Sequence, residues 1–314
     1  MLDKTILWKT KRLIKSTLGN YPMRRINWHG VSRGGSPAYV IRRIGNAGFF
    51  SNYLYVLGHI QYALKKGYTP VIDMLNYKTV YNQDVPVNGK SNAWEYYFHQ
   101  PAGVELSDAY SMPNVIISDN AYLSEYSPQY VGKGQFPDQE QISKLNGVCT
   151  EYIQIREELL EEANALWMAL TKENADSVLG VHVRGTDMRC SKDHPIPPNV
   201  NVFLKKIDTI LEAISITKIF LSTDENEIVR IFEEKYGNLV CCQETYRSCA
   251  NSNVGIHLED VLPRENHKYM LGKEVLMDAL CLSKCQYLLC GKSNVPLCAA
   301  IWNNNQYKQI TILE

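Results

Sequence analysis

The second half of the chain alternates short apolar runs with longer segments of helical periodicity, and this alternation restricts the fold more than any other feature. Apolar runs predict strands, and segments whose apolar residues recur every three or four positions predict helices. Strands are predicted at 177–184, 218–224, 238–242 and 286–294, and helices at 202–214, 225–237, 273–285 and 295–303. Because strands that alternate with helices assemble into a parallel sheet, residues 176–314 are predicted to form an α/β domain.

A similar unit is predicted in the first half of the chain. Residues 38–44 read as a strand that leads into the turn Gly45-Asn46-Ala47-Gly48, a helical pattern follows from residue 49, and residues 69–74 form a second strand. This order again favours parallel pairing, so residues 26–175 are predicted as a first α/β domain. Residues 75–135 show weak periodicity, and residues 151–170 are predicted as one long helix that bridges the two domains.

Composition limits the class of function. The chain carries 33 Lys and Arg residues against 33 Asp and Glu residues, so no overall positive field attracts a nucleic-acid backbone, and no nucleic-acid partner is expected. The 9 cysteines are odd in number and form no Cys-x-x-Cys pair, which is typical of reduced, buried thiols. Cys281 and Cys285 lie four residues apart on a predicted helix, but we interpret them as core residues and expect no metal site.

The sequence also bears on membranes. No apolar run reaches the roughly 20 residues that a membrane-spanning helix needs. Residues 1–25 form a basic segment with apolar residues at helical spacing, which fits either a helix on an anionic membrane surface or a solvated basic terminus. With no secretory leader and no Asn-x-Ser/Thr site, the sequence favours a cytoplasmic protein, with peripheral contact to the inner membrane as a further expectation.

Polar residues follow the predicted strands at the places where parallel sheets bind ligands. His182 and Arg184 alternate at the end of one strand; arginine can fork onto a diphosphate, and histidine can donate to a phosphate or a base edge. Asp187 begins the next loop, and an Arg184–Asp187 ion pair is the purely structural alternative. Thr223 and Asp224 end the next strand, where helix capping alone explains most of their pattern.

Two further turns can present backbone N–H groups to a phosphate, the one that contains Gly45 and Asn46 and the one that begins the last predicted helix. The tripeptide Gly291-Lys292-Ser293 does not belong to a triphosphate-binding loop, because Gln286 stands where that loop needs glycine. Metalloprotease, hydrolase and dehydrogenase motifs do not occur. The candidate binding residues are Gly45, Asn46, His182, Arg184, Thr223, Asp224, Ser293, Asn294 and Val295.

Three segments, taken in order and spacing, resemble the fucosyltransferase superfamily. That superfamily includes the core α-fucosyltransferases, the rhizobial chitin-oligosaccharide fucosyltransferases and, more distantly, the protein O-fucosyltransferases. The segments are GVHVRGTD at 180–187, which carries an HxRxxD motif, IFLSTD at 219–224, and DALCLSKCQYLLCGKSNVPLCAAIW at 278–302. Residues 43–74 resemble the amino-terminal donor-side loop and helix of the superfamily, so the likeness covers most of the chain outside the basic terminus and the Tyr-rich middle.

The resemblance implies a GT-B glycosyltransferase, with two Rossmann-like domains facing a cleft and no cofactor or divalent metal. It implies an inverting transfer of L-fucose from GDP-fucose to a glycan or oligosaccharide hydroxyl, in the synthesis of cell-surface polysaccharide. It further implies that Arg184 clamps the donor diphosphate and His182 lies beside the nucleotide. In the same way Ser293 and Asn294 match the turn near the phosphates, and Asn46 matches the turn that approaches from across the cleft. The alternatives are another nucleotide sugar as donor, or a non-catalytic module that binds nucleotides or glycans.

Two departures from the superfamily pattern affect the catalytic residues. Many relatives carry two adjacent arginines, whereas Gly185 follows Arg184 here, so a second clamp would come from elsewhere, for instance from Arg189, Lys192 or Lys273. The glutamate base of some relatives is replaced by the stretch at 190–194, where Asp193 or His194 is the candidate. The predicted catalytic residues are therefore Arg184, Asp187 and Asp193, with Asp187 expected to orient Arg184 or its loop.

Overall fold

A computed structural model describes residues 23–26, 35–123, 125–126, 128, 135–172, 175–185, 197–248 and 264–314; of residues 23–26 it describes the strand but not the side chains. In chain order, the elements of the first half are β1 (Met23–Ile26), β2 (Ala38–Arg42), α1 (Phe49–Lys65), β3 (Thr69–Asp73), α2 (Leu106–Ser111), β4 (Asn114–Ile117), α3 (Gln139–Tyr152) and α4 (Glu157–Thr171). Those of the second half are β5 (Val178–Val183), α5 (Val200–Ala213), β6 (Lys218–Thr223), α6 (Asn226–Tyr236), β7 (Val240–Cys241), α7 (His267–Lys284), β8 (Tyr287–Gly291), α8 (Asn294–Asn303) and β9 (Gln309–Leu313).

The second half forms the parallel α/β sheet that the sequence predicts. Its strand order is β7-β6-β5-β8-β9, and every neighbouring pair is parallel. β5 is buried along its whole length, which explains why all its residues except His182 are apolar or glycine. The chain passes from β5 to β6 in one direction along the sheet and from β8 to β9 in the opposite direction. A topological switch point therefore lies between β5 and β8.

The first half forms a smaller mixed sheet with the order β1-β4-β2-β3. β2 pairs in parallel with both β3 and β4, as the strand, helix, strand pattern at 38–74 predicts. β1 pairs antiparallel with β4 at the edge, so Met23–Ile26 belongs to this sheet. The remaining part of the predicted basic segment, residues 1–22, lies outside the described residues. β4 lies in the stretch 75–135, whose weak periodicity predicts no strand or helix.

The predicted long helix at 151–170 is confirmed from Glu157 onward, but its start is wrong, because a separate helix ends at Tyr152. α3 ends at Tyr152 and α4 begins at Glu157. Between them the chain is extended and pairs with the segment at 98–99: Phe98 and Ile155 form a β-bridge, and the His99 N–H donates to the Gln154 carbonyl at 2.9 Å. Tertiary pairing, which helical periodicity does not record, therefore interrupts the helix.

Helices from both halves pack into one apolar core. α8 lies against α1 and α3, and the Trp302 indole N–H donates to the Tyr53 hydroxyl at 2.9 Å while its ring meets Phe50 edge-on. Buried residues of both sheets' helices, among them Leu57 and Leu297, belong to this core. The boundary at 175/176 lies between α4 and β5. The two halves thus share a continuous apolar contact. This contact determines the relative positions of the turns that follow the strands of each half.

Candidate functional site

The candidate site lies at the carboxyl edge of the second sheet, at the switch point between β5 and β8. Arg184 follows β5 directly, and Lys292 and Ser293 follow β8. In sheets of this topology, residues that leave neighbouring strands at the switch point face a common crevice. An open cleft of about 510 Å³ is lined here by Arg184, Pro197, Pro198, Phe203, Gly291, Lys292, Leu313 and Glu314.

His182 is buried beneath this edge and connects three strands. Its Nδ1 lies 3.1 Å from the Ser222 hydroxyl on β6, and its Nε2 lies 3.2 Å from the Ser293 hydroxyl after β8. Burial, and then the charge of Arg184, lower the pKa of His182 to about 3, so the imidazole is neutral near pH 7. A neutral ring has one donor and one acceptor nitrogen. Because the Ser222 hydroxyl donates its own proton to Asp278, it accepts from Nδ1–H, and Nε2 accepts from the Ser293 hydroxyl. The histidine therefore holds the strand ends together.

A buried chain of polar groups continues from His182 away from the cleft. The Ser222 hydroxyl donates to Asp278 Oδ2 at 2.8 Å, and the Gln243 side-chain amide donates to Asp278 Oδ1 at 2.5 Å. Burial raises the pKa of Asp278 to about 6, although these hydrogen bonds and Arg247 act in the opposite direction. The sequence analysis did not identify this aspartate. The sequence pattern that points to Asp278 is a single carboxylate within the apolar stretch VLMDALCL of α7.

Arg184 has an acidic neighbour on the adjacent strand. Its Nε lies 3.8 Å from Asp224 Oδ2, and the Gly185 N–H donates to Asp224 Oδ1 at 2.8 Å. Asp224 thus lies where it can orient Arg184 and the start of the loop that follows it. Asp187 and Asp193, with the rest of 186–196, lie outside the described residues, and so do the alternative clamps Arg189 and Lys192. Lys273, the third alternative, pairs with Glu162 at 2.6 Å.

Helix α8 begins without a side-chain cap. Ser293 occupies the N-cap position, but its hydroxyl is directed to His182 and makes no capping bond. The N–H groups in the first turn of a helix have no partner within the helix, and the positive end of the helix dipole lies there. Asn294 and Val295 are the first residues of that turn. The site therefore directs backbone N–H groups toward the place where a phosphate was expected.

The prediction that helix capping explains the Ser222-Thr223-Asp224-Glu225 segment is wrong. Glu225 occupies the N-cap position of α6 and makes no side-chain cap bond. Thr223 is buried, its hydroxyl accepts the Glu225 N–H at 3.4 Å, and its carbonyl accepts the Arg247 Nε–H at 3.1 Å. The Asp224 carbonyl accepts the Ser248 N–H at 2.9 Å. These hydrogen bonds hold the end of β6 against residues 243–248, and they do not cap the start of α6.

The turn at residues 45–48, in the first half of the chain, is less closely connected to the residues that follow β5 and β8. Gly45 has a φ of +129°, a conformation that favours glycine, and it forms a bridge with Thr79. Gly45 and Asn46 are both exposed, and Gly48 occupies the N-cap position of α1. Within the described ranges, no hydrogen bond joins Asn46 to His182, Arg184 or Ser293. Its predicted approach to the donor from across the cleft stays a prediction.

Other features of the described residues bear on cofactors and membranes. Outside the gaps at 1–22, 27–34, 124, 127, 129–134, 173–174, 186–196 and 249–263, no group of three or more His, Cys, Asp or Glu residues is arranged to hold a metal ion. Over the same part of the chain, no helix combines the length and apolarity needed to cross a membrane. Cys281 and Cys285 are free thiols in the core, and burial raises the pKa of both.

Comparison with known proteins identifies the fold. No protein-family model matches the chain, and no curated protein sequence does. The structure is similar to that of NodZ α-1,6-fucosyltransferase soaked with GDP-fucose, with a TM-score of 0.52, 17% identity, and coverage of 85% of this chain and 93% of that one. It is also similar to that of a point mutant of Arabidopsis thaliana FUT1 in complex with GDP, with a TM-score of 0.50, 11% identity, and coverage of 90% of this chain and 72% of that one. The expected GT-B type of α/β fold is thereby confirmed.

Proposed function

We propose that this chain is an inverting glycosyltransferase that transfers L-fucose from GDP-fucose to a hydroxyl group of a glycan or oligosaccharide. The observation that carries the proposal is the arrangement at the switch point, where Arg184 and the uncapped start of α8 flank the buried His182. The fold supports it, since one similar structure was soaked with GDP-fucose and another contains GDP. The sequence resemblance to the fucosyltransferase superfamily supports the same donor.

Recognition of a diphosphate follows from the charges at this edge. The Arg184 guanidinium stays ionised at any relevant pH, and its planar set of donors matches phosphate oxygens. The N–H groups of Asn294 and Val295 add donors from the positive end of α8. In this proposal these groups, with no divalent cation and no cofactor, stabilise the donor. The side chains at the switch point therefore act as the phosphate-binding part of the site.

In the proposed reaction, the acceptor oxygen bonds to the anomeric carbon from the face opposite the diphosphate. The bond between that carbon and the diphosphate oxygen breaks, and GDP leaves with the bonding electron pair, so the configuration inverts. The acceptor proton passes to a base. Preorganised donors that face the developing negative charge are often worth a few kcal/mol each, and Arg184 with the start of α8 supplies them here.

The base in this proposal is not His182. Its pKa of about 3 and its two hydroxyl neighbours, Ser222 and Ser293, make it a positioning group for the strand ends. Asp193 remains the proposed base, and Asp187 remains a proposed member of the same loop. Replacing Asp193 with Asn tests the assignment: we expect turnover to fall at least about 100-fold while GDP affinity is kept, as for loss of a general base. Unchanged turnover would remove Asp193 from the mechanism.

The proposal extends to the biological setting, a cytoplasmic enzyme of cell-surface polysaccharide synthesis that touches the inner membrane through residues 1–22, the part of the basic segment that precedes β1. The basic character of that segment supports it, because lysine and arginine are attracted to anionic lipids. Sedimentation of the full chain with vesicles of anionic lipid tests the membrane part. We expect binding that weakens when Lys11 and Lys15 are both changed to Ser. Absence of binding by the wild-type chain would contradict it.

A transfer assay tests the central proposal. Wild type, Arg184→Ala and the control Arg230→Ala, whose arginine forms exposed pairs with Glu227 and Glu234 on α6, are incubated with GDP-fucose and a set of oligosaccharides in the presence of EDTA. We expect GDP release and fucosylated product from wild type and control, and at least about 100-fold less from folded Arg184→Ala.

Other outcomes of the assay identify the alternatives. A folded Arg184→Ala enzyme with near-normal turnover would contradict the phosphate role of this residue. Turnover with another nucleotide sugar in place of GDP-fucose would keep the reaction class and change the donor. Binding of GDP without turnover of any donor, over the whole set of acceptors, would identify a non-catalytic binding module.

A further inference from the structure

We propose that Lys292 is the second cation of the phosphate-binding site, beside Arg184, and that the two carboxylates flanking this pair serve as its counter-ions. This inference rests on the proposed function, because it concerns the diphosphate of the same donor. It answers the question that Gly185 raises, namely which residue takes the place of a second arginine after Arg184.

The register of four adjacent strands aligns four charged residues in one row. The last pairs between neighbouring strands include Val183 with Thr223, His182 with Cys290, and Gly291 with Leu313. One or two residues further along, each strand reaches a charged side chain. The row that results, in the order β6, β5, β8, β9, is Asp224, Arg184, Lys292 and Glu314. Adjacent strands are about 4.8 Å apart, so the two cations in the middle are neighbours.

The ion pairs of this row join each cation to the outer strand on its own side. Arg184 Nε lies 3.8 Å from Asp224 Oδ2, and Lys292 Nζ lies 2.9 Å from Glu314 Oε1. The carboxylates therefore offset the repulsion between the two cations without standing between them. A ligand with two adjacent negative groups, such as a diphosphate, fits a pair of cations with this spacing.

The surroundings of Lys292 suit a ligand better than a purely structural ion pair. Lys292 and Arg184 line the same cleft, with Pro198 and Phe203 as its apolar wall. The side chain of Lys292 is 26% exposed, whereas that of Glu314 is 78% exposed. Ion pairs with such an exposed partner contribute little to stability, so an incoming phosphate can replace the carboxylate at little cost. Lys273, by contrast, is held by Glu162 on α4.

The closing experiment measures nucleotide affinity by calorimetry for wild type, Lys292→Ala, Lys292→Arg and the control Lys308→Ala. Lys308 is exposed just before β9, at the amino ends of the strands and so at the end of the sheet opposite the site. Its loss changes the net charge by the same amount as the loss of Lys292. The ligands are GDP and guanosine, which lacks phosphate. We expect Lys292→Ala to raise the Kd for GDP about tenfold or more and to leave guanosine binding unchanged, as for loss of a charge-assisted hydrogen bond. Lys292→Arg and Lys308→Ala should stay within about threefold of wild type.

Two results would overturn the inference. One is unchanged GDP affinity in Lys292→Ala, and the other is an equal loss of guanosine and GDP, which would indicate damage to the cleft as a whole. If either occurs while wild type binds GDP and Arg184→Ala does not, only the role of Lys292 fails. If wild type binds no GDP at all, the proposed function fails together with it.

Discussion

Acidification should lower the free energy of unfolding, because His182 is buried in its neutral form. The size of the loss follows from how far burial lowers the pKa of His182. The pKa of His182 is lowered from 6.5 to about 3 by burial and by Arg184. Its folded-state pKa therefore lies below the unfolded one, and the unfolded chain binds the proton first as the pH falls. The contribution of the neutral histidine to stability is complete above about pH 6.5 and is lost progressively between that pH and about 3.

The size of the effect follows from proton linkage. Each pH unit below 6.5 lowers the free energy of unfolding by about 1.4 kcal/mol, so His182 alone accounts for about 2 kcal/mol between about pH 7 and about pH 5. Asp278 acts in the opposite direction, because burial raises its pKa from 3.8 to about 6. The folded state then takes up a proton more readily, and stability rises by about 1 kcal/mol over the same interval. The effects of His182 and Asp278 therefore oppose each other in the wild-type chain.

Urea unfolding at the two pH values, for wild type and His182→Gln, isolates the histidine. Gln cannot titrate, and its amide can still bond to a serine hydroxyl. We expect the variant to lose about 2 kcal/mol less than wild type on acidification. His59 is also buried, with a pKa lowered to about 4, but it is present in both chains and cancels in the comparison. Equal losses in the two chains would refute the assignment of a neutral, buried His182.

Two further substitutions test the packing around the site and between the halves of the chain. Gly185→Ala would place a Cβ about 2.5 Å from Glu225 Cγ, and we expect a loss of about 1–3 kcal/mol in urea unfolding together with weaker GDP binding; unchanged stability would show that Glu225 moves away freely. Tyr53→Phe removes the hydroxyl that accepts from Trp302 and donates to Cys149 at 3.1 Å, with an expected loss of about 1–3 kcal/mol and unchanged GDP affinity. A wild-type unfolding midpoint would mean that the hydroxyl contributes nothing to the contact.

Much of the fold could be predicted from the sequence because its central strands are buried on both faces. β5, β6 and β8 are predominantly apolar for this reason, and their parallel pairing follows from the helices between them. β9 was not predicted: it has the sequence QITIL, lies at the sheet edge and is partly exposed, so its pattern is weak. β4 is short and lies in a polar, Tyr-rich stretch, where pairing with β1 and β2 decides its structure.

The candidate site could be predicted only as far as strand ends identify it. His182, Arg184 and Ser293 were found because each stands directly at the end of an apolar run. Asp278 was missed because it reaches His182 through Ser222, which lies 56 residues away from it along the chain. The row that includes Lys292 and Glu314 depends on the register of neighbouring strands. Register is a property of the assembled sheet, and no local pattern in the sequence reveals it.

The central claim is that this edge of the second sheet binds the diphosphate of a guanine nucleotide. The most direct measurement is thermal stabilisation, confirmed by calorimetry, with GDP, UDP, CDP and ADP in the absence of metal, for wild type and Arg184→Ala. The account predicts selective stabilisation of wild type by GDP and loss of that stabilisation in the variant, with the unfolding temperature of the free protein little changed. No stabilisation by any of the four nucleotides, or equal stabilisation of both proteins by GDP, would contradict it.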